Sequence, residues 1–241
     1  MLSASTDIAS NLARVHDQVA EAARRVGRRA EEITLVGVSK TQPVEAVLEA
    51  VGCGLDHLGE NRVQEASWKI PGAREQLVSS GSPLPVWHLI GHLQTNKAGA
   101  AIELFDRIDA LDSLHLAQAL SKRLRGPPHR DLPVLLEVYV GDDPSRPGLR
   151  PDGLVDAVGE ILAVPNLRVE GLMTVAPLGG DARAAFALVQ TLKQTLAEAF
   201  PRVHFGVLSM GMSDDFVAAI EEGSTEVRIG SAVFGPRRTD R

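Results

Sequence analysis

The run Ile33-Thr34-Leu35-Val36-Gly37-Val38-Ser39-Lys40, broken by Thr41-Gln42-Pro43, decides how the rest of the chain is read. Its apolar, β-branched residues read as a buried strand. Pro43 then opens an amphipathic helix with Val44, Val47 and Leu48 on one face. Strand followed by helix is the unit of an α/β fold, and such folds place their ligands at the C-terminal mouth of a buried parallel strand. Lys40 stands at that mouth. Desolvation there lowers the pKa of an amine and frees the neutral form, which attacks a carbonyl to make a Schiff base. Position alone fits a solvated strand-end lysine equally well.

Outward from this stretch, the pattern repeats. Short apolar runs fall at 33–39, 55–59, 86–90, 106–111, 133–140, 168–174, 204–209 and 225–229. Helical periodicity separates them, for example at 112–125, 151–163, 182–200 and 214–222. Eight strands alternating with helices predict an α/β fold, a single (β/α)8 TIM-type barrel. An open doubly wound sheet is the alternative, but no G-x-G-x-x-G follows any strand. Ahead of the first strand, Ile8, Leu12, Val15, Val19, Ala22 and Val26 repeat at helical spacing after Thr6-Asp7, a candidate N-cap. This predicts an extra N-terminal flanking helix within 1–30, with Arg24, Arg25, Arg28 and Arg29 at its end, where cations suit the helix dipole. Gly81-Ser82-Pro83-Leu84-Pro85 and Gly126-Pro127-Pro128 read as loops, and Gly179-Gly180-Asp181 as a loop opening a helix that carries Ala184, Ala185, Leu188, Leu192 and Leu196. Residues 1–241 are expected to form one domain, with 236–241 a frayed polar tail.

Composition narrows the class. A hydrophobic content of 44% with 23% charged residues is ordinary for a globular chain. A net charge of −6 and a pI near 5.7 argue against a nucleic-acid or anionic-membrane surface. The start, Met1-Leu2-Ser3-Ala4-Ser5-Thr6-Asp7, lacks a basic segment followed by an apolar run, and no apolar stretch is long enough for a bilayer. A soluble cytoplasmic protein is expected. The lone Cys53 reads as a small helix-end residue, and no Cys/His cluster has zinc-site spacing.

The unusual residues fall just after the strands, where a barrel builds its active face. They are Lys40, the segment Gly59-Glu60-Asn61-Arg62-Val63-Gln64-Glu65, Trp87 through Lys97, Leu172-Met173-Thr174, Ser209 through Asp215, and Arg228-Ile229-Gly230-Ser231. Ser209 with Gly211, and Gly230 with Ser231, each offer a hydroxyl and a close-approaching backbone at a helix start, which suits phosphate. Ser213-Asp214-Asp215 reads instead as an N-cap with dipole-compensating carboxylates. Arg228 needs an acceptor, either a ligand atom or a structural partner such as Glu137 or Glu170. His88 and His92 mimic a metal pair, yet Gly91 and the strand context point to site-lining or core roles. Trp87 and Phe205 read as core, and Lys97 as early in a helix begun near Thr95. Together these features describe a phosphorylated aldehyde, and pyridoxal phosphate satisfies all of them.

Val38-Ser39-Lys40-Thr41, Gly59 through Glu65, Trp87-His88 through Gly91, Leu93-Gln94-Thr95-Asn96-Lys97, Gly171-Leu172-Met173-Thr174, Leu208 through Asp215 and Val227-Arg228-Ile229-Gly230 together resemble the pyridoxal-phosphate homeostasis proteins of the YggS/PROSC type. The resemblance runs in order from about residue 33 to 235. It implies a barrel like the N-terminal domain of alanine racemase, with pyridoxal 5'-phosphate as an aldimine on Lys40 and Arg228 facing the pyridine nitrogen. It implies a phosphate held by Ser209, Gly211, Gly230 and Ser231, with Asn61 near the ring. His88, Thr174 and Met210 join the expected cofactor-binding set. The family implies storing, buffering or handing over the cofactor in vitamin B6 homeostasis, without robust turnover. Recipient PLP-dependent apoenzymes and a monomer are expected. The chain departs from the pattern at Arg62, where the family often has an aromatic residue. It departs again in Val140 through Gly148, where Asp143 and Arg146 keep the charge signs but Val140 removes an amide.

The rival readings are a cofactor-dependent amino-acid racemase, a Schiff-base aldolase acting on a sugar phosphate, and an interaction module with a vestigial site. Racemisation needs a proton acceptor on each face of the carbanion. The only tyrosine, Tyr139, lies in the fifth strand's run. An arginine at the ring nitrogen is a poor proton donor, which favours a holder over a catalyst.

Overall fold

Inward and outward side chains alternate along the strands except where bulges fall between Ile108 and Leu111 and between Val134 and Leu135. In the computed structural model, residues 7–124, 131–177 and 179–235 are described. The strands are β1 (Thr34–Val38), β2 (His57–Glu60), β3 (Val86–Leu89), β4 (Arg107–Leu111), β5 (Leu132–Glu137), β6 (Leu167–Met173), β7 (Val207–Ser209) and β8 (Glu226–Ile229). All pair in parallel, in chain order, and β8 returns to β1 to close an eight-strand barrel. The helices are α1 (Ile8–Arg25), α2 (Val44–Gly52), α3 (Val63–Ser80), α4 (Ala98–Leu104), α5 (Leu114–Arg123), α6 (Leu154–Leu162), α7 (Ala182–Ala199), α8 (Phe216–Glu221) and α9 (Ser231–Phe234).

The expected (β/α)8 barrel with its extra N-terminal helix is the observed architecture. On β8, Val227 and Ile229 belong to the main hydrophobic core, while the alternating Glu226 and Arg228 do not. That core lies between strands and helices, with Trp87 and Phe205 in it. A second, small cluster of Ala110, Leu135 and Met173 forms apart from it. At the strands' N-terminal end the barrel is floored by charge. Arg107 is ion-paired with Asp109 and Glu226 and lies 3.7 Å from Glu170. His88 Nδ1 is 2.9 Å from Asp109, and its Nε2 is 2.8 Å from His57.

Helix α1 begins at an Asp7 cap that accepts from Ser10 N–H at 3.0 Å, and buries Ile8, Leu12, Val15, Val19 and Ala22. It ends at Arg25, earlier than its periodicity suggested, and Val26 is an exposed C-cap. Arg28 therefore lies outside α1. Its guanidinium donates to Ser224 O at 2.7 Å, tying this end of the chain to the β8 entry. Asn11 does the same near the other end, donating to Val233 O at 2.9 Å. The 112–125 pattern begins only at Leu114, because Ser113 Oγ caps the Leu116 N–H. Cys53 is the exposed C-cap of α2. Thr6, Gly126-Pro127-Pro128 and 236–241 lie outside the described residues. No described helix is long and apolar enough to cross a membrane.

Candidate functional site

Lys40 follows the last inward residue of β1, Val38, and both line a cavity of about 260 Å³ at the strands' C-terminal mouth. The segment after β2 adds Asn61, β8 adds Arg228, and the start of α9 adds Gly230 and Ser231. Five of the ten expected cofactor residues thus share one cavity: Lys40, Asn61, Arg228, Gly230 and Ser231. Gln42, Ile90, Val175, Met212, Ser213 and Asp214 line it as well.

Arg228 is fully inside the barrel, with its side chain donating to Ser209 Oγ at 2.8 Å and to Thr174 O at 2.7 Å. Burial is the main influence on its guanidinium and lowers its pKa, against the pull of Glu226 and Asp109. It makes no ion pair with a described carboxylate. Glu170 pairs instead with Arg168 and Arg107, and one oxygen of Glu137 is buried without a partner. Burial, then the neighbouring Asp112, pushes the Glu137 carboxyl up to about 7.

Asn61 brings an acceptor to the cavity, and its Oδ1 is buried without a hydrogen-bond partner. Gly91 explains its placement: a Cβ there would meet Asn61 O at 2.5 Å, so only glycine lets the end of β3 lie against this backbone. Gly211 does the equivalent after β7. Its φ is +94°, and a Cβ would meet Ala219 Cβ at 2.6 Å and Phe216 Cα at 2.8 Å.

The other five expected residues lie elsewhere. Met210 points into the outer core because it alternates with inward Ser209, and its N–H is spent on Glu226 O at 3.0 Å. Ser209 presents its hydroxyl to Arg228 rather than to the cavity. Thr174 Oγ1 donates to Val138 O at 2.8 Å, which leaves its carbonyl for Arg228. Gly211 shapes the turn and accepts from Arg228 N–H at 3.0 Å. His88 belongs to the barrel floor, bonded to Asp109 and His57. Desolvation, then the His88 charge, lowers the pKa of His57. Donor atoms of His88, Asp109 and Glu226 lie within 4.8 Å of one another, but the Arg107 guanidinium bonds both carboxylates and its fixed charge repels a cation. His92 is bonded to Asp112 at 2.7 Å.

The expected N-cap at Ser213 is also displaced. Asp215 caps α8 by position, and its Oδ1 accepts from Met212 N–H at 2.6 Å. This frees Ser213, whose Oγ lies 3.4 Å from the Ala232 N–H and joins the cavity wall. The segment after β5 turns away from the cavity. Asp143 accepts from Ser145 N–H at 2.9 Å, and Arg150 stacks over Tyr139 at 4.6 Å. Val140 packs against the outer core, and Arg62 is the exposed N-cap of α3.

The alanine racemase N-terminal domain family matches residues 11–238. A pyridoxal phosphate homeostasis protein of Escherichia coli (strain K12) is 39% identical over 234 residues, covering 96% of this chain and 97% of its own. Another, from Pseudomonas aeruginosa (strain PAO1), is 40% identical over 231 residues, covering 95% and 96%. PipY of Synechococcus elongatus PCC7942, solved with PLP bound, superimposes with a TM-score of 0.80 at 34% identity, covering 95% of this chain and all of its own. The chain belongs to the alanine racemase N-terminal domain family and, within it, to the pyridoxal phosphate homeostasis proteins.

Proposed function

We propose that this protein holds pyridoxal 5'-phosphate as a Schiff base, an internal aldimine on Lys40, and stores, buffers or hands over the cofactor in vitamin B6 homeostasis. The observation that carries the reading is the shared cavity of Lys40 and Arg228. An amine and a permanently charged donor at one barrel mouth suit an aldehyde that also bears polar ring atoms and a phosphate. Asn61 Oδ1, buried without a partner, is an acceptor suited to a ligand donor. Ser213 and Ser231 offer hydroxyls beside the Gly230 backbone for the phosphate. Ser209, Thr174 and Gly211 hold Arg228 and its turn instead of touching the ligand.

When bound, the cofactor supplies an electrophilic aldehyde and an electron-accepting ring. Lys40 would be the residue that holds it, its amine supplying the nucleophile for that carbonyl. Arg228 anchors the ring with a cation that cannot give up its proton, so the ring is a weak electron sink. Apoenzymes that need the cofactor are the expected recipients, and the protein acts as a cytoplasmic monomer in this reading. A racemase needs a second base. Tyr139 is drawn under Arg150 and does not line the cavity, which supports a holder.

An absorption spectrum with added pyridoxal phosphate, borohydride reduction and peptide mapping test the reading. The reduced adduct is expected on Lys40 and absent from Lys40→Ala. A protein that forms no adduct with excess cofactor would overturn the reading in favour of a Schiff-base aldolase.

A further inference from the structure

Beside Lys40 lies a buried charged cluster that contributes nothing to the cavity wall. Lys69 on α3 has a relative exposure of 0%, as has Glu60 at the end of β2. An ammonium has three N–H donors, and here each has an acceptor. Lys69 Nζ donates to Ser39 O at 2.7 Å, to Glu60 Oε1 at 2.8 Å and to Glu65 Oε1 at 2.6 Å. Both carboxylates reach back to the exit of β1. Glu60 Oε1 accepts from Ser39 Oγ at 2.7 Å, and Glu65 Oε1 accepts from the Thr41 N–H at 2.6 Å.

Ser39 and Thr41 are the residues on either side of Lys40, so the cluster grips the chain before and after the lysine. The grip matters because Thr41 has a φ of +65°, a conformation a β-branched residue holds only when its surroundings impose it. A buried ion cluster is a poor device for stability alone. Glu60 illustrates the cost, because its Oε2 is buried without a partner and burial raises its pKa. What the cluster does supply is a fixed backbone beneath one side chain.

We propose that Lys69, acting through Glu60 and Glu65, is a positioning residue that sets the Ser39–Lys40–Thr41 backbone and so aims the Lys40 amine into the cavity. The proposal rests on the reading of Lys40 as the cofactor-binding lysine. Correct aim governs bond formation between the amine and the aldehyde carbon, with water leaving. It has little bearing on a ligand held by ring and phosphate contacts alone.

Lys69→Met and Glu65→Ala are compared with the wild type using pyridoxal phosphate and pyridoxamine phosphate, which has the same ring and phosphate but no aldehyde. Both variants are expected to lose affinity for pyridoxal phosphate by roughly tenfold to a hundredfold, the scale of a misplaced reacting group. The pH midpoint of the adduct absorbance moves with it, while affinity for pyridoxamine phosphate stays at the wild-type value. Should Lys69→Met not fold, Glu65→Ala decides, since Glu65 is on the partly exposed edge of the cluster. Equal losses for both ligands would overturn the proposal and leave Lys69 a structural residue. Wild-type behaviour with both ligands would overturn it too. A wild-type protein without any trappable adduct at Lys40 removes the underlying reading itself.

Discussion

The guanidinium of Arg228 donates to the hydroxyl of Ser209 at 2.8 Å, so the charge at the end of β8 is held by the adjacent strand β7. Ser209, expected from the sequence as a phosphate ligand, thus has a guanidinium as its hydrogen-bond partner. Ser209→Ala deprives a buried cation of one acceptor and is expected to destabilise the fold by about 1.5–3 kcal/mol. Urea unfolding measures that loss, with inorganic phosphate affinity unchanged beside it. Weakened phosphate binding with unaltered stability would return Ser209 to the ligand.

The Arg107 guanidinium ties the charges of the barrel floor together. Arg107 is buried between Asp109 and Glu226, whose charges keep it protonated despite burial. In turn, the charges of His88 and Arg107 hold the Asp109 carboxyl well below the usual range against the desolvation that would raise it. Arg107→Met leaves carboxylates uncompensated in the interior, at an expected cost of about 3–5 kcal/mol. Denaturant midpoints read the loss. Because Arg107 opens β4 at the end opposite Lys40, the fraction that folds retains its ligand affinity.

Gly211 is required twice over, by its φ of +94° and by the contacts a Cβ would make with Ala219 and Phe216. Gly211→Ala is expected to cost about 2–3 kcal/mol. It also displaces Met212 through Asp214, which line the cavity, so ligand affinity falls together with the thermal midpoint. A variant with unchanged thermal midpoint and affinity would contradict this account.

The barrel was legible because buried parallel strands are short apolar runs, and helices on both sides of each run punctuate them. Lys40 and Arg228 were legible for a related reason, as charges at strand ends where apolar residues are the rule. Side-chain facing was less so. Met210 lies between ligand-suited residues in sequence, although period-two alternation sends it outward into the core. On α7 the buried face is Ala185, Phe186, Val189 and Leu196, while Leu188 is exposed, because tertiary packing selects among overlapping helical stripes. Lys69 left no usable signal. With Glu65 it reads as an ordinary surface pair at i, i+4 spacing, and only the docking of α3 on β2 buries it.

Glu137 offers the last test, through pH. Its carboxyl faces Asp112 at the end of β4, His92 after β3, Arg228 on β8 and Arg146 in the following loop. Desolvation leads these influences, and lifts the group from its ordinary 4.5 to about 7. A carboxyl whose folded value is raised contributes stability that is fully present below the unfolded value and is lost as pH rises through the folded one. Wild-type stability should therefore fall by on the order of 2 kcal/mol between about pH 4.5 and about pH 7, relative to Glu137→Gln, whose amide does not titrate. Urea midpoints of both proteins at about pH 5 and about pH 8 measure the difference. Two proteins with parallel pH dependence would mean that Glu137 ionises in the ordinary range, and that its buried oxygen has found a partner in solution.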